Sequence, residues 1–178
     1  LLARYHALPG FITRKKRQAK VEHARETHAD ETFRAGAEAN ILLRKNYDAQ
    51  GAFIAGDRPA ALNALGFASQ LVFTTWCLGN FGLDQGDDME LCYGAATAHN
   101  RMMTDFCRID RRLLPTAYVP LEDIARAATC TQEAIALGAK ALMVPSKCPQ
   151  HHSPSHVGLD RVWAMAQEAG LPVLFHVG

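Results

Sequence analysis

The chain has 178 residues, 48% of them hydrophobic and 21% charged, with a formal net charge of +1. That length and apolar fraction allow one sizeable buried core. The near-zero net charge gives no global attraction to nucleic acid or to an anionic membrane surface, and no run approaches the ~18 apolar residues of a membrane span.

Five scattered cysteines, with no CxxC pair, favour reduced thiols in a cytoplasmic enzyme over a disulfide framework. Cys92, Cys107 and Cys130 fall within helical patterns and are expected to pack as small apolar side chains. The first residues lack a signal-peptide pattern and an initiator methionine, so residues upstream are expected.

Residues 1–50 read as a helical or irregular variable segment. The basic cluster Arg14-Lys15-Lys16-Arg17 with Lys20 is followed by Glu22, Glu26, Asp30 and Glu31. Phosphate contact is one reading; a solvated helix face with balanced charge is the plainer one. No periodicity here is strong enough to claim a core. Asn46 to Gly51 reads as a turn-rich junction.

Residues 51–178 are regular. Asp57 is placed to cap a short helix with Pro59 in its first turn and Gly66 at its end. Gln70 to Thr75 reads as a strand, and Trp76 to Asp87 as a loop. A long helix follows, about Asp88 to Arg108, with Cys92, Ala95, Ala96, His99, Met102, Met103 and Phe106 on one apolar stripe. Thr116 to Val119 is a second strand. Glu122 and Asp123 place acids at the start of a third helix, which buries Ile124, Ala127, Ala128, Thr131 and Ile135 and stops at Gly138. Lys140 to Pro145 is a third strand, Ser146 to His156 a polar loop, and Leu159 to Gly170 a fourth helix. Leu171 to Val177 is an apolar run expected to be a buried strand. Short apolar strands alternating with helices predict a parallel α/β sheet covered on both faces.

Ligands of parallel α/β folds bind at the carboxyl ends of the strands. The residues predicted there are Thr74, Thr75 and Trp76; Pro120, Leu121 and Glu122; Ser146 and Lys147; and His176. An imidazole at such a position suits a divalent metal, although a strand-end histidine is as readily packed or hydrogen-bonded. Cys148, His151, His152 and His156 share the loop after the third strand. An independent zinc site, contact with substrate and a solvated loop are all open readings of it. Trp76 joins these histidines as a candidate substrate contact. Lys147 occupies a place where a Schiff-base lysine can lie, with nothing else in the sequence to lower its pKa. His99, on an apolar helix stripe, reads as packed. No Walker loop, GxGxxG or GxSxG is present.

From about Asp57 onward the chain resembles the amidohydrolase-related family, the amidohydrolase 2 group of metal-dependent hydrolases and decarboxylases on a TIM barrel. Five stretches carry the resemblance: Ala60 to Phe73; Ala98-His99-Asn100 through Phe106-Cys107 to Arg112-Leu113-Leu114-Pro115; Val119 to Asp123; Leu137 to Leu142; and Gly170 to Gly178. It implies a partial (β/α)8 barrel of about strands 2 to 5, with residues 1–50 corresponding to the variable segment after the first strand. His176 would be the metal-binding histidine of the fifth strand, and the ion zinc. The family's other ligands, a His-x-His pair on the first strand, a histidine on the sixth and an aspartate on the eighth, are not identifiable here. His6 has no second histidine in the required pattern.

The activity so implied is metal-assisted hydrolysis or non-oxidative decarboxylation of a small carboxylated substrate, aromatic or cyclic, by activated water or a polarised carboxylate. The enzyme would be a cytoplasmic homo-oligomer that acts on a small molecule, with no nucleic-acid or membrane partner. This chain alone is expected to be inactive. Two other readings stand beside it: a non-catalytic half-barrel that self-associates or binds a partner through open sheet edges, and a small metal-free α/β binding or transferase domain.

Overall fold

A computed structural model describes residues 3–4, 11–44, 48–74 and 83–176 of the chain. The chain forms two compact units, Leu2–Gln70 and Leu71–Gly178.

The first unit is helical. Helix α1 (Phe11–Ala29) is followed by α2 (Glu31–Ala39). The break between them is set by Asp30, whose carboxylate accepts the Phe33 N–H at 2.9 Å as an N-cap does. The backbone of the basic cluster Arg14–Arg17 lies within α1. Lys20, Glu22, Glu26, Asp30 and Glu31 are exposed, as a solvated face requires.

The unit also has a small core that apolar periodicity does not reveal. His28 is buried, with Phe33 and Phe53 set edge-on to its ring at 5.0 and 5.5 Å. The Arg44 guanidinium stacks 4.1 Å over Phe33 and donates to its carbonyl. Helix α3 (Arg58–Leu65) carries Pro59 in its first turn and ends at Gly66, whose φ of 70° is left-handed. The expected Asp57 cap does not form. A 3-10 turn, Ala55–Asp57, runs straight into α3 and leaves Asp57 in helical geometry, so its carboxylate turns to Arg34 at 3.9 Å instead.

The second unit is the α/β part, and its elements follow the predicted alternation. They are β1 (Gln70–Val72), α4 (Met89–Cys107), β2 (Leu113–Tyr118), α5 (Ile124–Leu137), β3 (Ala141–Pro145), α6 (Asp160–Glu168) and β4 (Val173–His176). The four strands form one sheet in the order β1-β2-β3-β4. β2 pairs with β3 and β3 with β4 in parallel.

Helix α4 packs on α5, and α5 on α6. Consecutive crossover helices therefore share one face of the sheet, as in a singly wound barrel-like sheet; helices alternating between faces mark a doubly wound one. Local chemistry sets the helix ends. Asp88 caps α4 by accepting the Leu91 N–H, and Asp123 caps α5 by accepting that of Arg126. Gly138 closes α5 with a φ of 94°, where a side chain would be strained. Gly158 permits a close approach: a Cβ there would lie 2.9 Å from Ile124.

Three expectations change. First, β1 stops at Val72, and Phe73 and Thr74, expected to continue it, lie outside the strand; Thr75 is not among the described residues. Pro115 and Val119 hydrogen-bond toward β3, so the main chain of Tyr118 faces the β1 side. Its N–H and C=O are both taken by the Asn100 side chain of α4, at 2.7 and 2.9 Å, which displaces β1 from the ladder. Second, Met102 is 47% exposed while Met103 is buried. The 100° step per residue puts position 103, not 102, in line with Cys92, Ala96, His99 and Cys107. Third, β4 is not the buried strand its composition suggests. It lies at the sheet edge, Val173 and Leu174 are half-buried, and Phe175 is 62% exposed, because no described helix covers its outer face. The cysteine expectation fits: Cys92, Cys107 and Cys130 are buried and Cys148 is exposed. Among the described residues, no helix is long and apolar enough to cross a membrane.

Candidate functional site

The carboxyl ends of the strands bring together side chains from four segments. The strand register decides which side chains share a face. Tyr118 lies opposite Met143, Met143 opposite Leu174, and Pro145 opposite His176. Paired residues in a parallel ladder point the same way, and residues two apart along a strand do too, so Tyr118 and His176 project from the same face.

Phe73, just past β1, meets His176 with ring centroids 5.7 Å apart. β1 and β4 are the two edge strands. On a flat sheet, three spacings of ~4.8 Å would hold their side chains roughly 14 Å apart. The contact therefore requires the sheet to curl, with Phe73 and His176 converging over its concave face, opposite the helices.

Above the end of β2 lies a buried acid that sequence reading leaves among the acids of a loop. Asp84, in the turn Leu83–Gln85, is 3% exposed, and its carboxylate accepts the Tyr118 hydroxyl at 3.2 Å. Burial raises its carboxyl above the ordinary carboxylate range. Hydrogen bonds from Tyr118 and Gln85 pull it back, Glu122 pushes it further up, and Lys147 opposes that. The Tyr118 hydroxyl is itself pushed up, first by burial and then by Asp84, and stays protonated. Burial, with Asp84 nearby, pushes the Cys92 thiol up to about 12, which makes it a packing group rather than a nucleophile.

Two further networks brace these strand ends. The Tyr93 hydroxyl of α4 lies 2.9 Å from both the Pro120 and the Asp123 carbonyl oxygens and accepts the Asp123 N–H at 3.1 Å. It ties the β2–α5 connection to α4. Asn100 holds the Tyr118 main chain as described, and its Oδ1 also meets His99 Nδ1 at 3.0 Å. Burial pushes the His99 imidazole below its ordinary value, which agrees with its reading as a packed residue.

The histidine-rich loop after β3 is fastened to the loop after β2. Glu122 accepts the Gln150 N–H at 2.7 Å, rather than serving the α5 terminus. His152 places Nδ1 3.0 Å from the Ser153 carbonyl and Nε2 3.3 Å from the Glu122 carbonyl. His156 Nδ1 accepts the Gly158 N–H at 3.0 Å and caps the following turn. The two rings lie 5.5 Å apart, with both His152 nitrogens and His156 Nδ1 engaged by main-chain groups. Cys148 and His151 are exposed, and Cys148 Sγ lies 3.7 Å from the His152 carbonyl. Lys147 is exposed at the end of β3. Thr75 and Trp76 fall outside the described residues.

The structure thus brings His176 together with Phe73, and Tyr118 together with Asp84, near Glu122 and Lys147. Among the described residues, no three His, Cys, Asp or Glu side chains are arranged to hold a metal ion, so these residues do not by themselves form a metal centre.

No protein-family model matches the chain, and no curated protein matches it.

Proposed function

We propose that the chain is part of a barrel enzyme of the amidohydrolase-related kind, about strands 2 to 5 of a TIM barrel, and that His176 is one ligand of a divalent metal ion, zinc. The observation that carries this reading is the convergence of His176 and Phe73 at 5.7 Å over the concave face. An imidazole at the carboxyl end of a strand, turned inward on a singly wound sheet, occupies the place where barrel enzymes assemble their chemistry. The remaining ligands lie outside the described residues.

When bound, the ion would supply Lewis acidity toward a water, carbonyl or carboxylate. The chain's own residues would shape the substrate's surroundings. Phe73 presents an apolar ring beside His176, suited to an aromatic or cyclic substrate, and the exposed Lys147 offers a cation for a carboxylate. Trp76, His151, His152 and His156 are candidate substrate contacts on the same end. Hydrolysis and non-oxidative decarboxylation both fit, in a cytoplasmic homo-oligomeric enzyme.

The test is metal analysis of the uninterrupted natural protein containing this chain. About one equivalent of tightly held divalent metal is expected, lost in His176→Ala with the fold retained. Equal metal content in the two proteins would refute the assignment.

A second reading has its own observation. The outer face of β4 exposes Phe175 at the sheet edge, which favours a non-catalytic half-barrel that self-associates through this strand. Sedimentation tests it: a dimer dispersed by Phe175→Lys supports it, and a monomer of the natural protein removes it.

A further inference from the structure

We propose that His152 carries a proton that its neighbour His156 does not, and that the resulting imidazolium clasps the histidine-rich loop after β3 to the connection after β2. The clasp loosens as that proton leaves. The inference is independent of the metal reading.

The hydrogen-bond partners decide where the proton sits. His152 sets Nδ1 3.0 Å from the Ser153 carbonyl oxygen and Nε2 3.3 Å from the Glu122 carbonyl oxygen. Both partners are acceptors only. A neutral imidazole has one N–H, so it serves one of them and turns a lone pair toward the other; an imidazolium serves both. His156 is set the opposite way. Its Nδ1 accepts the Gly158 N–H at 3.0 Å, which requires a lone pair on that nitrogen and so a neutral ring. The two rings lie 5.5 Å apart, where two positive charges would repel. A charge on His152 and none on His156 satisfies all of these contacts, and no other distribution does.

The clasp joins two segments. Glu122 holds the loop twice, with its carbonyl facing His152 and its carboxylate accepting the Gln150 N–H at 2.7 Å. Within the loop the Ser153 carbonyl also accepts the His156 N–H at 3.0 Å, and the Cys148 thiol meets the His152 carbonyl at 3.7 Å. The titratable groups on the segments that meet here are Glu122 and Asp123 after β2, Lys147, Cys148 and His151 in the loop, and Asp160 at the start of α6. Asp123 is engaged by Arg126. Glu122 sets a negative charge beside the clasp, which favours a cation there. The clasped loop binds the His152 proton more tightly than an open loop does. Its advantage is full below the ordinary imidazole range and is lost as pH rises through the clasped ring's own midpoint. The Gly158 bond to His156 has the opposite sense and is complete only where that ring is neutral.

Amide exchange and ring-nitrogen NMR of the natural protein, between about pH 5 and 8, test this together. After correction for the intrinsic exchange rate, protection at Gln150 should fall roughly three- to tenfold with rising pH, the weight of one hydrogen bond, while protection at Gly158 should rise. His152→Gln should flatten the Gln150 profile and leave the rise at Gly158. In the wild type, the His152 ring should keep both N–H groups to a higher pH than His156 does, and this readout decides the matter should H152Q not fold. A His156 ring that stays doubly protonated to the higher pH, or a Gln150 profile unchanged in H152Q, would overturn the clasp.

Discussion

Replacing Asn100 with alanine removes one side chain, strips the Tyr118 N–H of its partner and leaves the Tyr118 carbonyl only the weak Cys130 thiol contact at 3.7 Å. The Tyr118 N–H donates to Asn100 Oδ1 at 2.7 Å, and the Tyr118 carbonyl accepts from Asn100 Nδ2 at 2.9 Å. Both groups face the β1 side, where the ladder has ended at Val72, and both residues are buried. A buried backbone group left unsatisfied costs about 1–3 kcal/mol and a lost hydrogen bond about 0.5–1.5 kcal/mol, so Asn100→Ala should destabilise the α/β unit by about 2–4 kcal/mol. With a urea m-value of about 2 kcal/mol/M, the middle of the range for small proteins, the midpoint should fall by roughly 1–2 M in a circular-dichroism melt.

Asn100→Asp is a sharper probe. It preserves the acceptor for the Tyr118 N–H but sets a second oxygen against the Tyr118 carbonyl, and should cost at least as much as alanine. Thr97→Ala, one turn earlier and linked only loosely to Glu133 at 3.4 Å, is the control and should change stability by under about 0.5 kcal/mol. If Asn100→Ala falls within about 0.5 kcal/mol of that control, the clamp is not what ends β1.

Other expectations follow from the same packing. Met103→Ala should cost about 2–4 kcal/mol by opening a core cavity, whereas Met102→Ala should cost under about 1 kcal/mol; denaturant melts compare the two. Tyr93→Phe unties the β2–α5 connection and should cost about 1–3 kcal/mol, with faster amide exchange at Asp123. Gly138→Ala, forced to a φ of 94°, should lower stability by about 1 kcal/mol in the same melts. His99, held neutral by burial, contributes stability that is complete above the ordinary imidazole value of 6.5 and lost as pH falls below it. His99→Gln should flatten that part of the stability-versus-pH curve.

Much of the α/β unit was legible because its signals are local and redundant. The stripe on α4, the Asp123 and Gly138 ends of α5 and the apolar run of β3 each specify their element without knowledge of the neighbours. The misread features depend on what lies alongside. β4 reads as a core strand by composition, yet burial is set by its edge position, which leaves Phe175 exposed. β1 is cut short by an amide on a helix 28 residues away in sequence. Met102 and Met103 are equally apolar, and only the helix phase separates them.

At the candidate site, His176 was legible as a strand-end histidine, and its inward direction came only with the curl that brings it to Phe73. Asp84 and Asn100 gave no signal. An aspartate in an acid-rich loop and an asparagine beside a helix histidine are ordinary until the end of β2 is placed against them. The core around His28 was hidden for a similar reason: it is built from single aromatic residues on separate segments rather than from a periodic stripe.

The central claim, that His176 faces inward to bind a metal, is tested most directly by imidazole nitrogen NMR of the natural protein, metal-free and then titrated with zinc. Ligation predicts that one ring nitrogen of His176 shifts into the metal-bound range at one equivalent, while His152 and His156 keep their metal-free signals. An unmoved His176 at saturating zinc, or shifts confined to the loop histidines, would contradict the assignment.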